Sequence, residues 1–431
     1  MDEAFLPTAP RGLRWRLSVM MFLQYAVMGA WSPILALHLD ELGIDGAGIG
    51  WIYSTIAFSA MVAPFIAGQI ADRYFATERY MTIVHLLGAG LLFYAATLTS
   101  FRPLFVTMLL YCLLYTPTMA LSNSLAFAHL REARESFGQI RLWGTIGWVV
   151  VGWGFGMWLG LLDPFFQRFI PRLAESVAAL REVFGQPTVG NCLHLAGGLS
   201  LLLGLYSTTL PHTPPTKSVE KPWAFLEAIR LMRKRDFAVL AIVSFFVATE
   251  LAFYYQLTPL FFREGVGLPK AWVSPVMTIG QIAEVLVLVA LPWSLRRLGV
   301  RETISIGIAA WPIRYSVFAL GYPRWLVLAS QSLHGVCYAF FVVASQVYVD
   351  SIASGDIRAS AQNFLTFLNM GVGKFLGNIF AGKVDVLFRR DFRKIFLLPV
   401  IITSVCLVAF RIGFKGERAR AAEEKEREAA S

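Results

Sequence analysis

Long apolar stretches alternate with short polar segments along the whole chain. The apolar stretches cover residues 17–39, 49–71, 80–99, 104–126, 140–161, 192–210, 237–260, 271–293, 303–321, 325–349, 361–386 and 395–413. Because about 20 apolar residues in a helix cross the hydrocarbon layer of a bilayer, each stretch predicts one transmembrane helix. The predicted fold class is therefore an all-α membrane protein with twelve transmembrane helices, numbered 1 to 12 in chain order.

A polar segment with several prolines separates helix 6 from helix 7. Pro211, Pro214 and Pro215 prevent helix 6 from continuing, and the cluster Arg233-Lys234-Arg235 precedes helix 7. The chain then divides into two sets of six helices. We predict an N-terminal six-helix bundle at 1–210, a cytoplasmic linker at 211–236, a C-terminal six-helix bundle at 237–413 and a cytoplasmic tail at 414–431.

The connection between helices 5 and 6, at 162–191, is unusually long. Within it Leu173, Val177, Leu180 and Phe184 recur at the spacing of one helical face, with charged residues on the other face. This pattern predicts a short amphipathic helix at the membrane surface.

Composition and charge distribution support a membrane protein and exclude a nucleic-acid-binding one. The chain is 56% hydrophobic and 15% charged, which would expose too much apolar surface in a soluble domain. Its net charge of +10 comes from basic residues concentrated on the loops that share a side with both termini. That asymmetry is the positive-inside pattern, so both termini are expected in the cytoplasm and anionic lipid is the expected neighbour of the loops.

The four cysteines lie within predicted spans and have no metal-ligand or disulfide spacing, so we expect no metal and no cofactor. Nor does the sequence contain a nucleophile–base set or a phosphate-binding loop, and we expect no enzymatic activity.

The loop after helix 2 reads Gly68-Gln69-Ile70-Ala71-Asp72-Arg73, which resembles the loop signature of the major facilitator superfamily. Gly68 permits close helix approach, Asp72 suits the positive end of a helix, and Arg73 adds a positive charge on the cytoplasmic face. These three residues are the predicted cytoplasmic gate. An ordinary tight basic loop is the alternative interpretation.

Five ionisable residues fall inside or close to predicted spans: Arg141, Glu250, Glu284, Arg314 and Lys374. Each costs roughly 2.5–3.5 kcal/mol at the centre of a bilayer on insertion scales. They should therefore face the interior of the bundle, where they are paired or reach water. This arrangement indicates a polar substrate, a coupling ion, or both.

Two helices carry candidate site residues on one face. Helix 5 places Arg141, Thr145 and Trp148 at i, i+4 and i+7, and helix 8 places Gln281 and Glu284 at i and i+3. A carboxyl in an apolar setting binds its proton more tightly, so Glu284 can load and release a proton. The alternatives are that Arg141 only flanks the membrane and that Glu284 is a fixed salt-bridge partner of Arg314 or Lys374.

Helices 7 and 10 offer further candidates. Glu250 is a second possible proton carrier, and Tyr255 and Gln256 follow it on helix 7 as substrate-binding candidates. Helix 10 carries His334 and Tyr338 at i and i+4. A single His on an apolar helix is equally well explained as a packing residue.

Several motifs together resemble the nucleoside/proton symporter family of bacterial inner-membrane proteins, nearly from end to end. They are Tyr115-Thr116-Pro117-Thr118, Arg141-Leu142-Trp143-Gly144-Thr145-Ile146-Gly147-Trp148, Leu210-Pro211-His212-Thr213-Pro214, Leu251-Ala252-Phe253-Tyr254-Tyr255, Gly280-Gln281-Ile282-Ala283-Glu284, Leu333-His334-Gly335-Val336-Cys337-Tyr338 and Arg358-Ala359-Ser360-Ala361-Gln362. The resemblance implies the major facilitator fold.

By position, the same resemblance implies a nucleoside site lined by Arg141, Thr145, Trp148, Gln281, Glu284, His334 and Tyr338. Four positions depart from the family pattern: Ala339 replaces an acidic residue after the helix 10 aromatic, Ala252 and Tyr255 stand where amides occur on helix 7, and Lys374 adds a positive charge to helix 11.

The resulting hypothesis is proton-coupled import of a nucleoside by a monomer in a bacterial inner membrane, with substrate, protons and lipid as its only partners. Two alternatives remain open at this stage: a facilitator for another solute, such as a sugar, glycoside or drug, and a non-transporting membrane receptor.

Overall fold

The computed structural model describes residues 12–66, 75–130, 133–214, 228–353 and 358–416. Within these ranges the elements are helical, and twelve long helices follow one another. Their bounds are Leu13–Glu41, Gly46–Ile66, Thr77–Ala95, Phe101–His129, Ala133–Trp158, Asn191–Ser207, Arg235–Gly265, Lys270–Arg297, Val300–Leu320, Arg324–Ile352, Ser360–Leu387 and Phe392–Gly413. They coincide in order with the twelve predicted spans and are called helices 1 to 12 below.

Nine of the helices in the described ranges are long and apolar enough to cross a membrane by themselves. A tenth span results when helix 5 is taken together with the short helix Asp163–Phe169, to which it is bent by 64°. Helix 6 has 17 residues and helix 3 begins with Thr77-Glu78-Arg79, so these two are shorter or more polar. Both pack on one another, and helix 3 also packs on helix 4 and helix 6 on helix 1.

The outward surface of the helices is apolar, as contact with lipid requires. On helix 8, Leu286 is 68% and Val289 80% exposed, and Ile412 on helix 12 is 71% exposed. In water such a surface would drive aggregation, whereas lipid chains cover it at no cost.

Local sequence explains where several helices break or begin. Helix 1 is interrupted at Ser32-Pro33-Ile34, where Pro33 cannot donate to the helical ladder, and resumes at Leu35. Helix 12 begins after Asp391, whose carboxylate accepts a hydrogen bond from the backbone N–H of Lys394 at 3.3 Å. This is the N-cap geometry that satisfies an otherwise free donor.

Four π-helical turns interrupt helices 7, 10 and 11: Phe253–Leu257, Phe261–Gly265, Cys337–Val343 and Phe367–Gly373. A π-turn adds a residue to one turn, so it rotates the following side chains relative to a regular helix. Three of these turns contain or directly precede candidate residues, namely Tyr255 and Gln256, Tyr338, and Lys374.

The first six helices and the last six helices each pack among themselves, and the most extensive contacts between the two sets come from two pairs of helices. Helix 2 packs on helix 11 and helix 5 packs on helix 8. Helix 11 approaches helix 2 so closely that a Cβ added at Gly382 would lie 2.3 Å from the carbonyl oxygen of Gly46, and one at Gly50 would lie 2.5 Å from that of Asn378.

We call the end of the molecule with Leu13 and Gly413 the terminal end, and the end with Asp40 and Arg390 the distal end. At the distal end, ion pairs connect the two sets of helices. Arg390 pairs with Asp40 of helix 1 and, at 2.6 Å, with Glu264 at the end of helix 7, while Lys270 pairs with Glu41. Partial burial acts to lower the pKa of Arg390, but its bond to Asp40 and the surrounding carboxylates outweigh this and raise the pKa, so Arg390 remains a cation.

The long connection between helices 5 and 6 contains two helices, Asp163–Phe169 and Pro171–Phe184. Leu173 and Leu180 of the second helix are 40% and 51% exposed. Arg181 joins the two helices through Asp163 at 2.6 Å. The predicted amphipathic helix is therefore confirmed, and its apolar side is available to the membrane surface.

The three predicted gate residues, Gly68, Asp72 and Arg73, lie outside the described residues. So do most of the predicted linker, where only 211–214 and 228–236 are described, and the tail after 416. The predicted domain boundaries therefore stay predictions.

Candidate functional site

Seven side chains from six helices meet near the middle of the molecule and form what we call the central cluster. They are Tyr25 of helix 1, Arg141 and Trp148 of helix 5, Tyr255 of helix 7, Glu284 of helix 8, Tyr338 of helix 10 and Lys374 of helix 11. All except Trp148, which is 9% exposed, are half-buried rather than enclosed. Polar side chains that stay partly exposed to solvent in the middle of long apolar helices indicate a water-accessible cleft between the two sets of helices.

On the side of the cleft formed by the first six helices, Arg141 packs against an aromatic ring. Its Cζ lies 3.9 Å from the centre of the Tyr25 ring, within cation–π range. Across the cleft, Arg141 and Glu284 are close enough to interact electrostatically, and Tyr338 interacts with both. The sequence prediction that Arg141 and Glu284 share one site is thus consistent with their positions.

Glu284 takes part in none of the ion pairs of the described residues. The alternative interpretation, a fixed salt bridge to Arg314 or Lys374, therefore has no support in the structure. A carboxyl that is partly exposed and unpaired can exchange a proton with water in the cleft.

Aromatic rings line the same cleft. The rings of Trp148 and Tyr255 approach edge to face with centroids 6.5 Å apart, and Lys374 Nζ lies 5.2 Å from the centre of the Tyr255 ring. Thr145, one turn before Trp148, is also half-buried. Flat apolar surfaces beside hydrogen-bonding groups suit a ligand with an aromatic ring and polar edges.

Gln281 lies one turn before Glu284 on helix 8 and is 8% exposed. Its Oε1 is buried with no hydrogen-bond partner among the described residues. Because an unsatisfied buried acceptor costs free energy, a ligand that donates to it would gain affinity.

His334 lies outside the central cluster, in a fully packed group around Arg314 that we call the buried cluster. The His334 ring stacks on Tyr254 with centroids 4.4 Å apart, and its Nδ1 accepts from Arg314 Nη1 at 3.1 Å, since a guanidinium only donates. Arg314 has 0% exposure and also lies over the rings of Tyr254, Trp311 and Tyr315 at 4.8–4.9 Å. His334 is thus better explained as a packing residue that anchors Arg314 than as a ligand-binding one.

Glu250 belongs to the same buried cluster and has 0% exposure. Its Oε1 accepts from Thr249 at 3.2 Å, its Oε2 has no partner among the described residues, and its backbone carbonyl accepts from the Tyr315 hydroxyl at 2.7 Å. Glu250 is therefore separated from the cleft that Glu284 reaches.

Gln256 is also not in the central cluster. It has 0% exposure, and its Nε2 donates to Asn378 Oδ1 at 2.7 Å, while Asn378 Nδ2 donates to the carbonyl oxygen of Tyr53 at 3.0 Å. This chain of hydrogen bonds joins helices 7, 11 and 2. Gln256 thus orients Asn378, which makes the bond to the first set of helices. This packed position does not suit substrate contact in this conformation.

A separate cavity of about 860 Å³ lies among helices 1, 3, 5 and 6. It is lined mainly by apolar residues such as Phe22, Val150 and Phe155, and contains none of the charged residues of the central cluster. No group of three or more His, Cys, Asp or Glu within the described ranges could hold a metal ion.

Sequence reasoning missed one central-cluster residue and one network. Tyr25 gives no signal by itself, because an aromatic residue in an apolar span is ordinary. The distal ion pairs of Asp40 and Arg390 had a signal, since opposite charges stand on loops predicted to share a side of the membrane.

Comparison with known proteins identifies the family of the chain. The family model described as "Nucleoside H+ symporter" matches residues 11–419. The xanthosine permease of Escherichia coli is 31% identical, with 93% of this chain and 95% of that protein covered. The nucleoside permease NupG of Escherichia coli is 29% identical over 95% of this chain and 97% of that protein.

Among solved structures, the crystal structure of the nucleoside transporter NupG superposes with a TM-score of 0.80 at 27% identity, covering 94% of this chain and all of that one. The predicted all-α, multi-pass membrane fold is thereby confirmed, and so is the prediction that the chain is a transporter and not an enzyme. The chain belongs to the nucleoside H+ symporter family, which is proton-coupled.

Proposed function

We propose that this chain imports nucleosides together with protons across a bacterial inner membrane, by alternating access between its first six and last six helices. The central cluster is the observation that supports the proposal best. It brings Arg141 of the first set and Glu284 of the second set to the same cleft, together with the rings of Trp148 and Tyr255. A substrate bound between them contacts both sets, as a site at the interface of two repeats requires.

Orientation follows from charge. Basic residues are concentrated at the terminal end, and the positive-inside rule assigns that end, with both termini, to the cytoplasm. Among the described residues, contacts between the two sets include the ion pair of Arg390 with Asp40 at the distal end and the bond from Trp153 Nε1 to Thr278 Oγ1 at 3.2 Å. These contacts hold the distal side closed, which supports an inward-facing conformation.

Each candidate residue has a role in this proposal. Trp148 and Tyr255 stack on the base, and Arg141, Thr145, Gln281 and Tyr338 form hydrogen bonds with the base or the sugar. His334 and Gln256 support this site from the packed regions beside it. Gly68, Asp72 and Arg73 remain the proposed cytoplasmic gate.

Glu284 is the proposed proton carrier. When ionised it attracts Arg141 across the cleft, and when protonated it does not, so proton binding changes the relative stability of the open and closed states. Glu250 is the second candidate, but it is enclosed in the buried cluster. At the helix 10 position where an acidic residue occurs in the family, this chain has the enclosed Ala339.

Counterflow and uptake in proteoliposomes test the proposal. We expect labelled uridine or inosine to exchange without a gradient and to accumulate when the outside is acidic. The Glu284→Gln variant should still exchange substrate but fail to accumulate it. Glu302→Gln is the matched control, because Glu302 is exposed and pairs with Arg411 at the terminal end.

Three outcomes would contradict parts of the proposal. No accumulation of any nucleoside by the wild type rejects the nucleoside assignment. Full accumulation by Glu284→Gln rejects Glu284 as the proton carrier, and loss of accumulation in Glu250→Gln alone transfers that role to Glu250.

A further inference from the structure

Lys374 is a charged residue of the central cluster without a counter-ion. It is half-buried and takes part in none of the ion pairs of the described residues. The carboxyl of Glu284 interacts electrostatically with Arg141 without forming an ion pair, so the cluster holds two cations and one carboxyl. Water in the cleft solvates the ammonium of Lys374 when the cleft is empty. A ligand that displaces this water has to offer a negative or electron-rich group in its place.

The position of Lys374 is fixed by its helix. It directly follows the π-helical turn Phe367–Gly373, which rotates it relative to a regular helix. One turn later, Gly377 lies against helix 7 so closely that an added Cβ would be 2.5 Å from the carbonyl oxygen of Thr249. Helix 11 therefore cannot slide or turn easily here, and the ammonium group stays in the cleft.

Lys374 lies beside the aromatic surface on which a base would stack. Its Nζ is 5.2 Å from the centre of the Tyr255 ring, and Tyr255 approaches Trp148. Nζ lies over the ring of Tyr255, so a base that stacks on the neighbouring Trp148 would present its edge to the ammonium group. Since an ammonium has three donors and no acceptor, it bonds a carbonyl oxygen well and cannot bond an amino group.

We propose that Lys374 is a specificity-determining residue that selects nucleosides whose base presents carbonyl oxygens, as in uridine, inosine and xanthosine, over bases with an amino group at that edge, as in adenosine and cytidine. This inference rests on the proposed nucleoside transport. A site with a buried donor rejects the wrong analogue because a donor facing a donor leaves both unsatisfied.

Competition against labelled uridine uptake in proteoliposomes tests the selection. For the wild type we expect inosine and xanthosine to compete at concentrations about tenfold or more below those of adenosine and cytidine, the scale of a hydrogen bond to a charged group. Lys374→Met has a side chain of similar length without the charge. It should bring this ratio close to one, mainly by weakening the binding of nucleosides whose bases present carbonyl oxygens. Lys374→Arg should retain part of the preference.

Lys383→Met is the matched control, because Lys383 is exposed on the same helix. It should keep the wild-type ratio. Preference for adenosine or cytidine, or no preference, in the wild type overturns the inference whatever the variants do. A ratio unchanged in Lys374→Met also overturns it. In both cases nucleoside uptake itself persists, whereas failure of the proposed function would appear as no nucleoside uptake at all.

Discussion

The guanidinium of Arg141 lies over the ring of Tyr25, with Cζ 3.9 Å from the ring centre. The pair joins helix 5 to helix 1 at the edge of the cleft. Tyr25 therefore fixes the direction in which the N–H donors of Arg141 point. A substitution of Tyr25 should consequently change the affinity for the substrate, although Tyr25 itself is uncharged.

We expect Tyr25→Leu to weaken nucleoside binding by a factor of about 2 to 30, because a cation–π contact contributes about 0.5–2 kcal/mol. The dissociation constant in detergent, measured by calorimetry or a thermal-shift titration, checks this. Tyr25→Phe keeps the ring and is the matched variant, for which we expect a smaller change. Equal affinities of Tyr25→Leu and the wild type would show that the ring does not position Arg141.

Gly335 is where helices 8 and 10 cross, next to Glu284. An added Cβ at Gly335 would lie 2.4 Å from the backbone carbon of Ala283 and from the backbone nitrogen of Glu284. Gly335→Ala must therefore separate the helices and shift Glu284. Overpacking of this kind costs about 1–3 kcal/mol, and we expect a lower melting temperature together with weaker proton-driven uptake.

Gly90→Ala on helix 3 is the control for that change. Nothing lies within 4 Å of an added Cβ at Gly90, so this variant should match or exceed the stability of the wild type. If both alanine variants behave alike, the close crossing at Gly335 does not constrain the site.

Arg390 holds the distal end closed through carboxylates of both sets of helices. We expect Arg390→Gln to lower the melting temperature by several degrees, since it leaves partly buried carboxylates without their cation. Thermal unfolding in detergent measures this directly. Lys394→Gln is the control, because it removes only the exposed ion pair between Lys394 and Asp391. Since surface ion pairs contribute little to stability, it should change the melting temperature by less than about 1 °C. Equal effects of the two substitutions would contradict a closing role for Arg390.

The order and approximate bounds of the helices could be predicted from the sequence, because an apolar run of bilayer length has few other stable arrangements. The ends were predicted less well. Helix 5 begins at Ala133 rather than 140, since its polar first turns are helical without being apolar. The π-helical turns could not be predicted, because Phe367–Gly373 has no local signal and depends on packing against other helices.

From the sequence, only the site residues that share a face of one helix could be predicted to lie together. Arg141 and Trp148 share a face whatever their neighbours are, and both reach the central cluster. For Gln256 and His334 the spacing was equally suggestive, yet Gln256 Nε2 donates to Asn378 and His334 Nδ1 accepts from Arg314. Which polar side chain is already bonded depends on the partner helix, and a single helix does not contain that information.

The glycine contact between helices 2 and 11 has a mechanical consequence. At Gly50 and Gly382 the two backbones lie against each other with no side chain between them, whereas Trp51 and Phe58 of helix 2 pack on Phe375 of helix 11. At the glycine crossing the two helices can change their angle without a rotamer change. The crossing can therefore serve as a pivot for rocking, while the ring contacts farther along the same helices separate or re-form.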